Sequence, residues 1–238
     1  FCHTEKARLY RQTAAHMKNA IGQYLYSEKH ERFVRMIYPK KDGGYEIDAT
    51  VDASLYGMFA FGVYHPDDIK VKNTMKSIEE TLWVQTDIGG VARYERDSYQ
   101  RVSNDESIPG NPWIISTMWL AQYYTAIAKS AKDLEHVVRH LKWAVSRALP
   151  SGVLAEQINP YTGEPVSVSP LTWSHATVVQ TVIDYLDKLQ ELHTCNQCGR
   201  SLFIYNRKGR QQLKSHASGY TDEISEKEHF HYLDHASI

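Results

Sequence analysis

Pro112-Trp113-Ile114-Ile115-Ser116-Thr117-Met118-Trp119-Leu120-Ala121-Gln122-Tyr123-Tyr124 decides the fold. A helix wound from these residues carries apolar side chains on every side, so it reads as a helix buried all round. Pro112 suits its first position, where a missing amide costs nothing. The next stretch, Ala131 to about Leu149, is different. Leu134, Val137, Val138, Leu141 and Val145 recur at nearly helical spacing along one stripe, which predicts an amphipathic helix. The same pairing appears upstream. Asp48-Ala49-Thr50-Val51-Asp52 supplies caps for an apolar helix through Leu55, Met58, Phe59 and Phe61. Pro66-Asp67-Asp68 then opens an amphipathic one with Val71, Met75, Ile78, Leu82 and Trp83.

Two further helices complete the pattern. The first runs from Glu5 to about Leu25, with Ala7, Leu9 or Tyr10, Ala14, Met17, Ile21 and Leu25 on its stripe. The sixth begins at Thr172 or Trp173 and passes through Val178, Val179, Val182, Ile183, Leu186 and Leu189. Buried and amphipathic helices alternate, and the long loops Gly89 to Asn111 and Gly152 to Leu171 each precede a buried helix. This predicts an all-α chain with the alternation of an (α/α) toroid, in which inner helices carry a site on the loops at one end. A plain bundle or helical repeat shares the periodicity. The loops of about twenty residues favour the toroid, because long loops in a compact domain are usually functional.

Bulk composition narrows the function classes. The 238 residues are 42% hydrophobic and 23% charged, ordinary for a globular protein. A formal charge of −1 gives no electrostatic case for nucleic acid or an anionic membrane. No apolar run reaches the roughly 20 residues of a membrane span. Sixteen tyrosines suit either sugar stacking or a Tyr-rich core, and composition alone favours the core. Three cysteines make no disulfide framework, and the expected compartment is the reducing cytoplasm. The opening Phe1-Cys2-His3 has neither an initiator Met nor a basic-then-apolar leader, and is read as lying within a longer polypeptide.

Two constellations carry chemistry. The first is Ser151-Gly152-Val153-Leu154-Ala155-Glu156-Gln157, followed by Pro170-Leu171-Thr172-Trp173-Ser174-His175-Ala176. Sugar cleavage needs two carboxyl groups, one to protonate the leaving oxygen and one to activate water or attack. Glu156 is the candidate for one of them. A lone loop Glu is more often a solvated surface residue, but Gln157, Trp173 and His175 lie close in sequence and the loop leads into a helix. The second constellation is Gly89-Gly90-Val91-Ala92-Arg93-Tyr94-Glu95-Arg96-Asp97-Ser98-Tyr99, then Gly110-Asn111-Pro112-Trp113. Arg93 offers a fork of donors for hydroxyls, and Tyr94, Tyr99 and Trp113 offer stacking faces. An equal alternative is that Arg93 and Asp97 merely hold the loop together.

Ala92-Arg93-Tyr94 with Asp97, Gly110-Asn111-Pro112-Trp113, Leu154-Ala155-Glu156-Gln157 and Leu171-Thr172-Trp173-Ser174-His175-Ala176 resemble, in order and spacing, the catalytic-domain motifs of glucoamylases in family 15 of the glycoside hydrolases. Asp52-Ala53-Ser54-Leu55 through Phe61-Gly62-Val63 and Pro66-Asp67-Asp68 is similar to another family stretch. The resemblance covers roughly Ala49 to Leu189. It implies an (α/α)6 toroid of twelve helices, of which residues 1–192 would be the C-terminal half. The implied reaction is inverting hydrolysis of α-glucosidic bonds at non-reducing ends, with no cofactor required. Glu156 maps to the general base, Arg93 to a binder of sugar hydroxyls with Tyr94 beside it, and Trp113 and Trp173 to pocket walls. His175 stands where some relatives carry Tyr and receives no role. The general acid belongs to an upstream Trp-Glu motif that this sequence does not contain. Glu46 and Asp48, in Gly43-Gly44-Tyr45-Glu46-Ile47-Asp48, do not resemble it and read as loop and cap residues. The implied partners are therefore an α-glucan or α-glucoside and the N-terminal half of the same polypeptide. A non-catalytic glucan-sensing module on the same fold is the alternative, and retention of Glu156 argues against it.

After Leu192 the character changes, and residues 193–238 read as a polar tail. Cys195-Asn196-Gln197-Cys198-Gly199 matches one knuckle of a zinc ribbon, but a structural site wants four ligands and no second pair follows. A structural zinc at Cys195 and Cys198, completed by a histidine such as His216, and a reduced dithiol without a role both stay open. An adaptor-like helical protein using that knuckle is a third class of function.

Overall fold

The computed structural model describes residues 4–194. Its elements are α1 (Thr4–Ala20), continued by a wider turn at Ile21–Leu25, then four short strands, β1 (Tyr26–Ser27), β2 (Arg32–Phe33), β3 (Met36–Pro39) and β4 (Tyr45–Asp48). A 3-10 turn at Ala53–Tyr56 leads into α2 (Gly57–Ala60), followed by α3 (Ile69–Leu82) and α4 (Ile114–Ile127). A second 3-10 turn at Ala131–Leu134 precedes α5 (Glu135–Val145), then β5 (Gln157–Ile158), β6 (Pro165–Val166) and α6 (Thr172–Leu192). The strands pair only as three antiparallel hairpins, β1 with β2, β3 with β4 and β5 with β6. The chain is all-α in architecture, with alternating central and outer helices.

The apolar stretch that opened the sequence reading forms the centre. α4 buries Ile114 through Ala121 without a break, then Tyr123 and Thr125. It packs against α3, α5 and α6. One core cluster joins Val71, Met75, Ile78 and Leu82 of α3 to Ile115, Trp119 and Leu120 of α4. A second joins Ile114, Met118 and Ala121 to Leu134, Val137 and Ala144 around α5. Asp68 caps α3 by accepting from the Lys70 amide (2.8 Å), and Ser130 and Asp133 form a reciprocal capping box at the turn before α5. Among the described residues no helix is long and apolar enough to cross a membrane.

Several expectations are corrected. Pro112 is not a helical residue: it bridges Ala92, and its carbonyl accepts from Ile158 N–H (2.9 Å). Trp113 donates its amide to Val91 O (2.9 Å) in extended backbone, so the helix begins at Ile114. The helix expected through Phe61 is a 3-10 turn plus one short helix. Asp52 caps it, and Gly62 at φ +70 closes it by donating to Phe59 O (2.9 Å). Phe61 is left 78% exposed rather than buried. The segment around Glu46 and Asp48, read as loop and cap, is the hairpin strand β4. Asp48 nevertheless accepts from the Thr50 amide (3.0 Å) and binds Arg35. The fifth helix starts as 3-10 and ends at Val145 rather than Leu149.

The sixth helix departs in part from its expected burial: Val178 and Leu189 pack on the second core cluster, but other positions change places. Ser174, Thr177 and Thr181 are buried, whereas Val179 and Val182 are exposed. Small side chains let α6 approach α4 closely. The hydroxyls of Thr177 and Thr181 remain satisfied by donating to the carbonyls of Trp173 and Thr177 (both 2.8 Å). The α1 stripe is likewise uncovered, and Leu9, Tyr10 and Met17 stand exposed.

Candidate active site

The loops before α4 and α6 meet at the N-terminal ends of those helices. They are joined by a chain of backbone pairings: Trp83 with Val91, Ala92 with Pro112, Trp113 with Gln157, and Asp52 with Tyr94. Gly90 makes the first turn of this ladder possible. It adopts φ +93, and a Cβ there would lie 2.4 Å from the Trp143 ring and 2.8 Å from Pro112 Cβ. β5 carries the ladder onward to β6 through Gln157 opposite Val166. Arg93, Trp113 and Glu156 thus come from three separated motifs onto one connected framework.

The Leu154-Ala155-Glu156 backbone is pinned from three directions. Leu154 N–H donates to His175 Nε2 (3.0 Å), and Leu154 O accepts from Leu171 N–H (3.0 Å). Ala155 O accepts from Ser174 Oγ–H (2.8 Å). Glu156 N–H donates to Val168 O (2.9 Å), and Glu156 O accepts from Ile114 N–H (3.2 Å). Gln157 is wholly buried, and its Oε1 accepts from Asn111 Nδ2 (2.8 Å), tying the two loops together. The half-buried Glu156 carboxylate projects from this frame. Its Oε2 accepts from Ser167 Oγ–H (2.6 Å) and Gln157 Nε2 (3.3 Å). Oε1 makes no hydrogen bond among the described residues. Ser167 reaches Oε2 from a left-handed backbone at φ 66, an unfavourable conformation for a non-glycine residue.

Arg93 takes the structural role that its spacing left open. Its Nε and Nη2 donate to Asp97 Oδ2 (3.0 Å) and Oδ1 (2.8 Å), a two-pronged pair with a carboxylate only 1% exposed. Nη2 also reaches Tyr94 Oη (3.3 Å). Burial alone would lower the guanidinium's pKa, but the Asp97 bond and charge hold it raised. The plane lies over three rings, with its centre 4.5 Å from Trp113, 4.8 Å from Tyr94 and 5.3 Å from Tyr99. Nη1 makes no hydrogen bond among the described residues, and the side chain is 32% exposed. Asp97 holds the fork rigid while one edge stays open to a ligand.

Trp113 and Trp173, both expected as pocket walls, are placed differently. Trp113 is 4% exposed beneath Arg93, and its buried Nε1 has no partner among the described residues. Trp173 is 56% exposed and meets Trp119 edge-on at 5.8 Å. It lines a groove of about 750 Å³ between α4 and α6, with Tyr56 stacked on Trp119 at 4.2 Å. Glu156 and Arg93 do not line that groove. The carboxylate and the cation stand at the loop end, and the groove is the open flank of the same helices. Among the described residues no group of three or more His, Cys, Asp and Glu could hold a metal. Cys195 and Cys198 lie outside them.

Sequence reasoning missed the roles of Ser167, Ser174 and His175. Ser167 sits in no motif, and only its contact reveals it. Ser174 and His175 lay within a quoted motif, but their bonds to a segment 19 and 21 residues away are tertiary.

Comparison with known proteins sharpens the picture. The model of the glycosyl hydrolases of family 15 matches residues 1–183. An uncharacterised glycosyl hydrolase of Methanocaldococcus jannaschii is 30% identical over 182 residues, covering 72% of this chain and 27% of that protein. A glucoamylase of Clostridium sp. is 33% identical over 143 residues, covering 58% of this chain and 20% of the enzyme. The chain therefore spans about a quarter of the length of these relatives. Among solved structures, a bacterial glucoamylase complexed with acarbose superposes with a TM-score of 0.63 at 26% identity, covering 77% of this chain and 30% of that one.

Proposed function

The chain belongs to glycosyl hydrolase family 15, and from that premise we propose that it supplies the base side of an inverting α-glucosidase active site. The reaction is release of glucose from the non-reducing ends of α-glucans or α-glucosides. Glu156 Oε1 takes a proton from water as that water attacks the anomeric carbon. Inversion requires the acid to stand across the sugar, roughly 6.5–9.5 Å from the base, leaving room for the water. The acid comes from a carboxyl group in polypeptide preceding Phe1, and residues 1–192 form the part of the catalytic domain that follows it. Residues 193–238 are a polar tail outside that domain. Arg93 donates through Nη1 to hydroxyls of the bound glucose, Tyr94 and the buried Trp113 steady the guanidinium, and Trp173 walls the adjoining groove on the α6 flank. No step calls on a metal or organic cofactor.

One observation carries the reading: the Glu156 backbone is fixed at both its N–H and C=O, while one carboxylate oxygen is left without a protein partner. A base must be held in place yet free to take a proton. A chain extended upstream through the acid motif, given maltose, isomaltose, trehalose and a maltooligosaccharide, should release β-glucose first when followed by proton NMR. Initial release of α-glucose would overturn inversion, and absence of release from all four would favour the sugar-sensing alternative.

A further inference from the structure

We propose that His175 is a positioning residue for Glu156, acting as an obligate hydrogen-bond acceptor through Nε2. This rests on the reading of Glu156 as the base. Leu154 is buried, and its amide finds no carbonyl among the described residues; its one partner is the His175 imidazole, 3.0 Å away. An amide can only donate, so Nε2 must be unprotonated and the ring proton sits on Nδ1. The next residue along α6, Ser174, is wholly buried and holds Ala155 O (2.8 Å). Consecutive residues on the first turn of α6 thus grip consecutive residues of the loop, immediately before Glu156. The grip is side chain to backbone, so it fixes the loop whatever the loop's own side chains are. α6 itself is anchored on α4 by its small buried face. The N-terminal end of a rigid helix thereby sets where the Glu156 carboxylate points.

The requirement is for an acceptor at one place, and that separates it from simple packing. Gln at 175 sets its Oε1 close to where Nε2 lies. Asn sets its oxygen closer to Nδ1, and Phe fills the space with no acceptor. The test uses the full 238-residue chain as wild type and as H175Q, H175N and H175F. Long-range nitrogen-15 correlation spectra should show wild-type His175 protonated at Nδ1. The Leu154 amide should exchange with deuterium within about twofold of wild type in H175Q, and about five- to tenfold faster in H175N and H175F, the worth of one net hydrogen bond. The Glu156 side-chain carboxyl carbon-13 resonance should move in the latter two variants and return in H175Q. A proton on Nε2, or equal exchange in all three variants, would overturn the proposal, since pure packing would not discriminate Gln from Asn. None of these readouts needs turnover. If the extended chain released no glucose while this signature held, Glu156 would lose its role as base and His175 would keep its hold on the loop.

Discussion

Trp113 and Trp173 each stand at the start of a long helix, and both resemble family pocket walls, yet one is 4% exposed and the other 56%. The difference lies in what surrounds the two helix starts. α4 begins inside the bridge ladder, with Val91 and Arg93 from one segment and Gln157 from another closing on Trp113. α6 begins on the flank of the molecule, and Trp173 touches Trp119 across the groove. The side chain is the same, with Trp113 just before α4 and Trp173 just inside α6; neighbours supplied by distant segments make one a floor and the other a lip. Glu156 sits where the two environments join, bonded through its carbonyl to the first residue of α4 and, through Leu154 and Ala155, to the first turn of α6.

The largest effect is expected at that junction. In the upstream-extended protein, Glu156→Gln should lower turnover by about 10²- to 10⁴-fold, the usual worth of a positioned base. Gln preserves shape and can still meet Ser167, so the thermal midpoint and substrate affinity should hardly change. Turnover within tenfold of wild type would remove Glu156 as base.

The two tryptophans test the comparison directly. Trp113→Ala empties a buried site and should cost about 3–5 kcal/mol in urea unfolding of the chain. Trp173→Ala loses one edge-on ring contact and should cost about 1 kcal/mol or less. Equal costs would mean that the α6 flank is as closed as the α4 end. A glycine pair gives a smaller version of the same contrast. Gly90→Ala meets both left-handed strain and the Trp143 and Pro112 contacts, for a loss of about 3 kcal/mol. Gly152, at φ +78 with nothing within 4 Å, should give only the strain, about 1 kcal/mol, when changed to Ala.

Periodicity made the helical framework legible, because α3 and α4 are buried according to their own side chains. The α5 stripe is so at Val137 and at Leu134 just before the helix, although its expected residue Val145 is exposed and His140 is buried. Periodicity misled in the first turns of α6, where the fully buried residues are small and polar. Thr177 and Thr181 satisfy their hydroxyls within the helix and Ser174 on Ala155 O, so all three can pack inward, while Val179 and Val182 stay outside. Two of the three hairpins have two-residue strands, too short to show alternation, and the four-residue β4 reads as loop and cap at Glu46 and Asp48. At the site, motif order pointed to Arg93, Trp113 and Glu156, which the ladder brings together. Ser167 was illegible: its hold on Glu156 depends on a left-handed backbone that no local residue pattern announces.

Behind α4, on the side away from the groove, the packing is tight enough to exclude a charge, and acid should reveal it. His140 is 7% exposed, lies edge-on to Trp83 at 5.8 Å and stands beside Tyr124, whose hydroxyl donates to Glu79 Oε1 (2.5 Å). Its Nδ1–H donates to His136 O (2.6 Å), and its buried Nε2 has no partner among the described residues to stabilise a second proton. Burial pushes the imidazole below its ordinary 6.5, outweighing the attraction of Glu79. A depressed folded-state pKa means that the unfolded chain binds the proton more readily. The stability from neutral His140 is therefore full above about pH 6.5, falls as the unfolded form protonates below it, and stops falling once the folded-state pKa is passed. The slope attributable to this residue cannot exceed about 1.4 kcal/mol per pH unit. Urea midpoints between pH 8 and 5 should drop faster for wild type than for His140→Phe, which keeps the ring and removes the titration. Parallel curves would show that His140 takes up its proton as readily in the folded chain as in the unfolded one, and that the back of α4 is as open to water as the Trp173 flank.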